Sequence, residues 1–150
     1  MRAPFQILAL PYKIVDGTPH YCVLHRADHD QWQFVSGGGE DAETPLDAAK
    51  REIFEEIGIR TEQIFALKNT AFVPNTCFAK AYRKHWDKDA YIIPEYSFAF
   101  ECLTKITLSH EHSDYAWMTY EQARDVLHWD SNKTALYELD CRLRDVDARE

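Results

Sequence analysis

Three glutamates in one short segment are the side chains of this sequence best suited to chemistry. Glu52, Glu55 and Glu56 lie within residues 37–59, GGGEDAETPLDAAKREIFEEIGI, which otherwise have the pattern of a helix. Like charges at this spacing repel one another on a helix, and a bound cation would relieve that repulsion. Hard divalent cations such as Mg²⁺ prefer oxygen ligands and are held by carboxylates together with substrate phosphates. The cluster therefore indicates metal-assisted chemistry on a phosphate compound, and a solvated acidic surface is the alternative.

The residues that flank the cluster predict where the helix begins and ends. Thr44 is a favourable N-cap with proline directly after it, and Gly58 suits the position just beyond a helix end. We therefore predict a helix over residues 45–57. At about 100° per residue, the three glutamates fall on one arc beside an apolar face. The glycines at 37–39 are predicted to interrupt regular structure in a loop ahead of the helix.

Apolar and β-branched residues recur along the chain in a way that predicts a mixed domain around this helix. The predicted strands cover residues 5–15, 21–25, 32–35, 64–73, 96–104 and 115–119, and two further helices cover residues 121–127 and 133–146. The last helix has a core-facing stripe formed by Leu136, Leu139, Leu143 and Val146. Residues 74–94 are polar, basic and aromatic, and we predict a long loop or hairpin excursion there. The length of the chain favours one domain over residues 1–150.

The spacing of the acidic segment resembles the signature of the Nudix hydrolases at every defined position. The matching residues are Gly37, Glu43, Arg51, Glu52, Ile53, Glu55, Glu56, Gly58 and Ile59. The resemblance implies an α/β fold, an α/β/α sandwich around a mixed β-sheet in a single domain. It also implies cleavage of nucleoside diphosphates linked to another group, with Mg²⁺ or Mn²⁺ as the cofactor.

By position, the resemblance also implies roles for individual residues. The implied metal ligands are Glu52, Glu55, Glu56 and the backbone of Gly37. Arg51 and Glu43 match positions that support the site through a salt bridge. On the helix, Arg51 lies beside Glu55, where a cation would hold that carboxylate in place for catalysis. A carboxylate must also take the proton from the attacking water, and Glu55 is one candidate for this base.

Three further segments are similar to parts of the bacterial dihydroneopterin triphosphate pyrophosphatases, Nudix enzymes also described as dATP pyrophosphohydrolases. These segments are HRADHDQWQFVSGGGE, EHSDYAWM and HWDSNKTALYEL. The resemblance implies that Glu111 is a further metal ligand or the catalytic base, although an exposed loop position is the alternative. It also implies hydrolysis of a purine nucleoside triphosphate or dihydroneopterin triphosphate to the monophosphate and pyrophosphate. A Nudix hydrolase of ADP-ribose or dinucleoside polyphosphates, or a non-catalytic Nudix sensor, remains open.

Substrate-binding residues are predicted from what a nucleotide requires. A triphosphate is bound by Lys or Arg and a flat heterocycle by an aromatic side chain. The candidates are Arg26, Trp32, Lys80 and Arg83. The alternatives are core packing for Trp32 and an ordinary solvated loop for the basic excursion.

Composition limits the partners and the compartment. The net charge of −8 argues against a surface that follows a nucleic-acid backbone, so we predict a small nucleotide or pterin triphosphate as partner and no nucleic acid. The sequence contains no apolar run long enough to span a membrane. The four cysteines are scattered without a CxxC pair, which is typical of reduced thiols and predicts a cytoplasmic protein. Both a monomer and a homodimer are compatible with the sequence.

Overall fold

A computed structural model of the protein describes residues 1–149, with side chains through residue 145. Within this part of the chain, the strands are β1 (Arg2–Val15), β2 (Thr18–Arg26), β3 (Trp32–Gln33), β4 (Val35–Glu40), β5 (Ile64–Pro74), β6 (Ile92–Glu101) and β7 (His112–Met118). The helices are α1 (Pro45–Ile57), α2 (Lys80–Arg83), α3 (Tyr120–Val126) and α4 (Asp130–Arg149), and a 3₁₀ turn covers Asn75–Cys77.

The strands form one mixed sheet that is organised around the long first strand. β1 is parallel to β6 and antiparallel to β2 and β4, and β5 follows β6 as an antiparallel neighbour. β4 pairs with the first part of β1, whereas β2 pairs with its last residues. On its other side, β2 pairs with β7 and β3. The pairing of Arg26 with His112 places the end of β2 beside the start of β7.

Helices cover both faces of the sheet. Leu8 and Leu10 of β1 pack in a core cluster with α3 and α4, whereas Ile7 and Ala9 face the other way and pack with α1. Because successive side chains of a strand point to opposite faces, this alternation builds two apolar layers from one strand. The predicted α/β/α sandwich around a mixed sheet is therefore confirmed.

Local signals determine the bounds of α1. The hydroxyl of Thr44 accepts a hydrogen bond from the backbone N–H of Asp47 at 3.1 Å, and the carboxylate of Asp47 accepts one from the N–H of Thr44. Gly58 ends the helix in the left-handed conformation, with φ of 71°. The predicted helix over residues 45–57 is confirmed.

The glycine segment differs from the sequence-based expectation. Residues 37–39 do not interrupt regular structure but belong to β4, which pairs with β1. Glycine is needed here for close approach: a Cβ at Gly37 would collide with the carboxylate of Glu52. In the same way, Gly38 leaves space for the guanidinium of Arg2, and Gly39 leaves space for the ring of Phe5. The prediction was wrong because pairing with a neighbouring strand outweighed the weak intrinsic strand preference of glycine.

The remaining elements follow the predictions with shifted boundaries. The excursion at residues 74–94 contains the 3₁₀ turn and the short helix α2 before β6 begins at Ile92. In α4, Leu136 and Leu139 are fully buried and Leu143 packs at the edge of the same cluster, while the side chain of Val146 lies outside the described residues. Among the helices in the described part of the chain, none combines the length and the apolar character needed to cross a membrane.

Candidate active site

The three glutamates of α1 lie along one wall of a cavity of about 290 Å³ and differ in burial. Glu56 is only 2% exposed, and its carboxylate accepts a hydrogen bond from the backbone N–H of Ser36 at 3.1 Å. The side chain of Glu52 is 14% exposed and that of Glu55 is 55% exposed. These three glutamates, called the acidic arc below, therefore extend from the interior of the protein to its surface along one side of α1.

The loop between β6 and β7 closes the opposite wall of this cavity. The backbone N–H groups of Thr107 and Ser109 donate to the last carbonyl groups of α1 at 2.9 and 3.0 Å. On the other side of the loop, the N–H of Ala27 donates to the carbonyl oxygen of Glu111 at 3.2 Å. These contacts fix the loop so that Glu111 lines the cavity together with the glutamates of α1. The structure thus brings the distant Glu111 together with the three predicted carboxylates of α1.

The concentration of negative charge changes the acidity of the buried members. Burial raises the pKa of Glu56 well above its ordinary value, and the neighbouring charges of Glu52 and Glu111 raise it further. Burial also raises the pKa of Glu52, although the guanidinium of Arg51 opposes this shift. Nε2 of the buried His112 lies 3.6 Å from a Glu56 oxygen, and burial lowers the pKa of this imidazole. The protein alone therefore does not compensate the negative charge at the inner end of the cavity.

Arg51 compensates the outer part of the acidic arc. Its guanidinium donates to both oxygens of Glu43 at 2.8 and 3.0 Å, and to the carboxylate of Glu52 at 2.8 Å. It also reaches Glu55 at 3.2 Å and the carbonyl oxygen of Gly38 at 2.8 Å. The hydrogen bonds from Arg51 lower the pKa of Glu43. One side chain thus connects α1, the preceding turn and β4 into a rigid frame.

The donor groups at the inner end fit a hard divalent cation. They are carboxylate oxygens, which are the ligands that Mg²⁺ and Mn²⁺ prefer. Burial and, to a smaller extent, the neighbouring carboxylates raise the pKa of Glu56, and a cation between these groups would offset both effects. Glycine at position 37 leaves the carboxylate of Glu52 room against the backbone of β4. Among the side chains that the structure describes, however, no group of three His, Cys, Asp or Glu residues is arranged so that it could hold a metal ion as it stands.

Arg26 is the predicted substrate-binding residue that lies closest to this acidic arrangement. It lines a cavity of about 470 Å³ together with Gln33, Ser36, Glu56 and Glu111. Its guanidinium donates two hydrogen bonds, at 2.8 and 3.0 Å, to the exposed carboxylate of Asp28. A phosphate group can compete for these donors because it offers the same bidentate geometry.

The other substrate-binding candidates lie elsewhere. The ring of Trp32 is partly buried, packs against the core cluster beneath α3 and α4, and makes an edge contact with His25 at 5.0 Å between centroids. The packing alternative for Trp32 is thus the one that its contacts support. Lys80 and Arg83 lie in α2, which borders a separate cavity of about 310 Å³ beside Arg2.

A further cavity of about 220 Å³, with a mixed polar and apolar lining, adjoins the one at Arg26 and shares Arg26, Gln33 and Ser36 with it. Its remaining lining residues are Gln6, Val73, Cys77, Phe78, Glu95, Trp129, Ser131 and Asn132. Sequence reasoning did not identify Gln6 or Glu95 as site residues. The sequence did contain a signal for Glu95. It is an acidic residue that shares one face of β6 with the small residues Ser97 and Ala99, and this face of the sheet is covered.

Comparison with known proteins identifies the family. The model of the NUDIX domain matches residues 13–139 of this chain. The chain therefore belongs to the Nudix family, as its signature predicted.

Individual relatives agree with this assignment. A crystal structure from Listeria monocytogenes strain 4b F2365, assigned to the NUDIX hydrolases, is 44% identical, covers 97% of both chains and has a TM-score of 0.84. The Escherichia coli dihydroneopterin triphosphate pyrophosphohydrolase is 25% identical, with a TM-score of 0.72, over 94% of this chain and 97% of that one. The predicted resemblance to the pterin enzymes is thereby confirmed.

Curated relatives match over shorter stretches. An RNA pyrophosphohydrolase from Psychrobacter sp. strain PRwf-1 is 30% identical over 104 residues, which are 69% of this chain and 60% of that protein. The nucleoside triphosphatase NudI from Enterobacter sp. strain 638 is 37% identical over 94 residues, which are 61% of this chain and 63% of that protein. The chain thus spans less than two thirds of the length of these two relatives.

Proposed function

We propose that this protein is a Mg²⁺- or Mn²⁺-dependent pyrophosphohydrolase that converts a purine nucleoside triphosphate or dihydroneopterin triphosphate into the monophosphate and pyrophosphate. The observation that carries the proposal is the grouping of Glu52, Glu55, Glu56 and Glu111 around one cavity. A neighbouring cavity at Arg26 leads from Glu56 and Glu111 to a smaller cavity. The polyphosphate of the substrate would lie beside the carboxylates, and its ring would occupy the smaller cavity.

The proposed metal ligands are the carboxylates of Glu52, Glu56 and Glu111, with Glu55 and the backbone of Gly37 as further members. A divalent cation at this position supplies neutralisation of the phosphate charge and activation of the attacking water. Arg51 keeps the outer carboxylates in place through the contacts described above. Arg26 binds a phosphate oxygen of the substrate when it releases its neighbouring aspartate.

In the proposed reaction, water attacks the α-phosphorus and the bond to the bridging oxygen of the pyrophosphate group breaks. A carboxylate accepts the proton of the water, and Glu55 and Glu111 are the two candidates for this base. Loss of a base lowers kcat and leaves the affinity for the cation unchanged, whereas loss of a ligand weakens that affinity. Measuring Mn²⁺ binding and kcat together for Glu55→Gln and Glu111→Gln therefore assigns the two roles.

The function is tested with a substrate panel in Mg²⁺, assayed by release of pyrophosphate. The panel contains dihydroneopterin triphosphate, dATP, dGTP, 8-oxo-dGTP and ADP-ribose. We expect pyrophosphate from at least one triphosphate, and a rate lower by orders of magnitude for Glu56→Gln. The exposed Glu62, which lies outside the cavity, provides the matched control Glu62→Gln. Full activity of the Glu56→Gln protein, or no hydrolysis of any triphosphate by the unaltered protein, would contradict the proposal.

A 5′-triphosphate RNA and a dinucleoside polyphosphate are added to the same panel. The Psychrobacter relative is named an RNA pyrophosphohydrolase, so a short RNA with a 5′-triphosphate is a second candidate. The net charge of −8 disfavours extended contact with an RNA backbone, and we therefore expect slower cleavage of this RNA than of a free nucleotide. ADP-ribose and dinucleoside polyphosphates would release two phosphorylated products without inorganic pyrophosphate, which separates them from the main proposal.

A further inference from the structure

We propose that Glu95, together with Gln6, selects the heterocycle of the substrate by accepting hydrogen bonds from two neighbouring N–H donors on one ring edge. Guanine and pterin rings carry such an edge, with a ring N–H next to an exocyclic amino group, and adenine does not. This inference rests on the proposed function, because it takes the occupant of the smaller cavity to be the ring of a nucleotide or pterin.

The position of the two side chains follows from strand pairing. Gln6 of β1 and Glu95 of β6 are direct register partners in the parallel pair, so their side chains lie next to each other on the same face of the sheet. Both line the cavity of about 220 Å³. Side by side, two oxygen acceptors match two adjacent donors on a flat ligand.

Both acceptors are buried and lack a partner. Glu95 is only 6% exposed, and within the described part of the chain neither its Oε1 atom nor the Oε1 atom of Gln6 has a hydrogen-bond donor. Native proteins rarely leave buried polar atoms unpaired, and such groups indicate a role or a missing partner. Both atoms are closed to solvent in this conformation, so a ligand that supplies two N–H groups would pair them after the two side chains rotate towards the cavity. Two other polar side chains of the cavity are already engaged: the oxygen of Asn132 accepts from the N–H of Phe34 at 2.9 Å, and Arg26 donates to Asp28.

The rest of the lining fits a flat ring. Phe78 and Trp129 provide aromatic surface, and the cavity continues to Arg26 and from there to the acidic arc. Burial raises the pKa of Glu95, and the hydroxyl of Ser131 opposes this shift. The ring N–H group that Glu95 accepts would stabilise its ionised form further by hydrogen bonding to it. Adenine would instead direct a ring nitrogen acceptor at one of the two oxygens, which is repulsive.

Binding of nucleoside monophosphates tests the selection independently of catalysis. We would measure the affinities of GMP, IMP and AMP by calorimetry for the unaltered protein, for Glu95→Gln and for Glu101→Gln. IMP lacks the amino group of guanine, and Glu101 lies exposed on the same strand, outside this cavity. The unaltered protein and the Glu101→Gln control should bind GMP at least about tenfold more tightly than IMP or AMP. In Glu95→Gln, the affinity for GMP should fall to the level of IMP.

Equal affinities for the three nucleotides, tighter binding of AMP, absence of binding, or a GMP preference that survives Glu95→Gln would overturn the inference. If Glu95→Gln does not fold, as judged by thermal unfolding, Gln6→Leu removes the other acceptor and should reduce the same preference. The pyrophosphate assay reports on the proposed function separately. Hydrolysis of all triphosphates without GMP selectivity refutes the ring selection alone, whereas GMP selectivity without any hydrolysis refutes the proposed function.

Discussion

Replacement of Arg51 by glutamine should weaken the metal-free protein and increase its response to Mg²⁺. The side chain of Arg51 is 21% exposed and makes its polar contacts with three carboxylates and one carbonyl group. The carboxylates of Glu43 and Glu52 are 22% and 14% exposed, so they depend on this guanidinium more than on solvent. Glutamine keeps much of the volume of arginine and removes the charge.

The magnitude follows from the burial of these groups. Removing one partner of a fully buried ion pair costs about 3–5 kcal/mol, and an exposed pair contributes about 0–1 kcal/mol. Because roughly four fifths of each side chain is covered, we expect a loss of about 2–4 kcal/mol in the free energy of unfolding. For a chain of this size, about 1 kcal/mol corresponds to 2–4 °C in Tm, so Tm should fall by roughly 5–15 °C.

The response to Mg²⁺ should change in the opposite direction. In Arg51→Gln, the carboxylates of α1 lose their internal cation, so an added cation relieves more repulsion than it does in the unaltered protein. The increase in Tm on addition of Mg²⁺ should therefore be larger for the variant. Thermal unfolding followed by circular dichroism, in EDTA and in Mg²⁺, measures both effects.

Lys50→Gln is the matched control, because it changes the adjacent residue of the same helix. Its ammonium group pairs with Glu62 at 2.7 Å, but Glu62 is 85% exposed. Its loss should change the stability by no more than about 0.5 kcal/mol. If Arg51→Gln in EDTA unfolds at the temperature of the Lys50→Gln control, the electrostatic account of the acidic arc is wrong.

Three further predictions concern other parts of the molecule. Burial alone would raise the pKa of Glu138, but hydrogen bonds from two backbone N–H groups of β5, both at 2.7 Å, and from a neighbouring arginine outweigh it and lower the pKa. Glu138→Gln should therefore lower the free energy of unfolding by about 1 kcal/mol at pH 7. In urea unfolding, this difference between the two proteins should shrink as the pH falls below about 4, because the carboxylate is then protonated and loses its stabilising effect. Gly37→Ala should lower kcat by about a hundredfold with a small change in Tm, because the new methyl group displaces the Glu52 carboxylate. A normal kcat would refute the idea that position 37 must be glycine to make room for Glu52. Tyr21→Phe removes a buried hydrogen bond of 2.6 Å to Asp140 and should cost about 1–2 kcal/mol in urea unfolding, with unchanged stability as the contradicting result.

The sequence predicted α1 and its acidic face correctly because both depend on nearby residues. The capping threonine, the final glycine and the spacing of the glutamates all act within one or two turns of the helix. The placement of Glu111 opposite this face came from the family resemblance. It depends on hydrogen bonds between a distant loop and the end of α1, which local preferences do not encode.

The parts that the sequence did not reveal depend on pairing between distant strands. The glycine segment became a strand because β1 was available beside it. Gln6 and Glu95 become neighbours only through the parallel register of β1 and β6, so the pattern of β6 alone could mark Glu95 as unusual but could not reveal its partner. Lys80 and Arg83 were chosen for their charge, but a cluster of basic residues carries no information about which side of the fold a loop will cover.

The outer and inner carboxylates of the acidic arc differ in whether the protein itself compensates their charge. Its outer carboxylates are compensated by Arg51, which belongs to the folded protein and needs no ligand. Its innermost carboxylate, on Glu56, is buried, has one backbone donor and lies near other negative charges, so its ionised form is disfavoured in the protein alone. Packing of Ile53 and Ile57 in the core holds α1 in place against this repulsion. A helix fixed by its apolar face can keep a carboxylate buried among like charges, and we propose that a divalent cation with its bound polyphosphate would offset that cost.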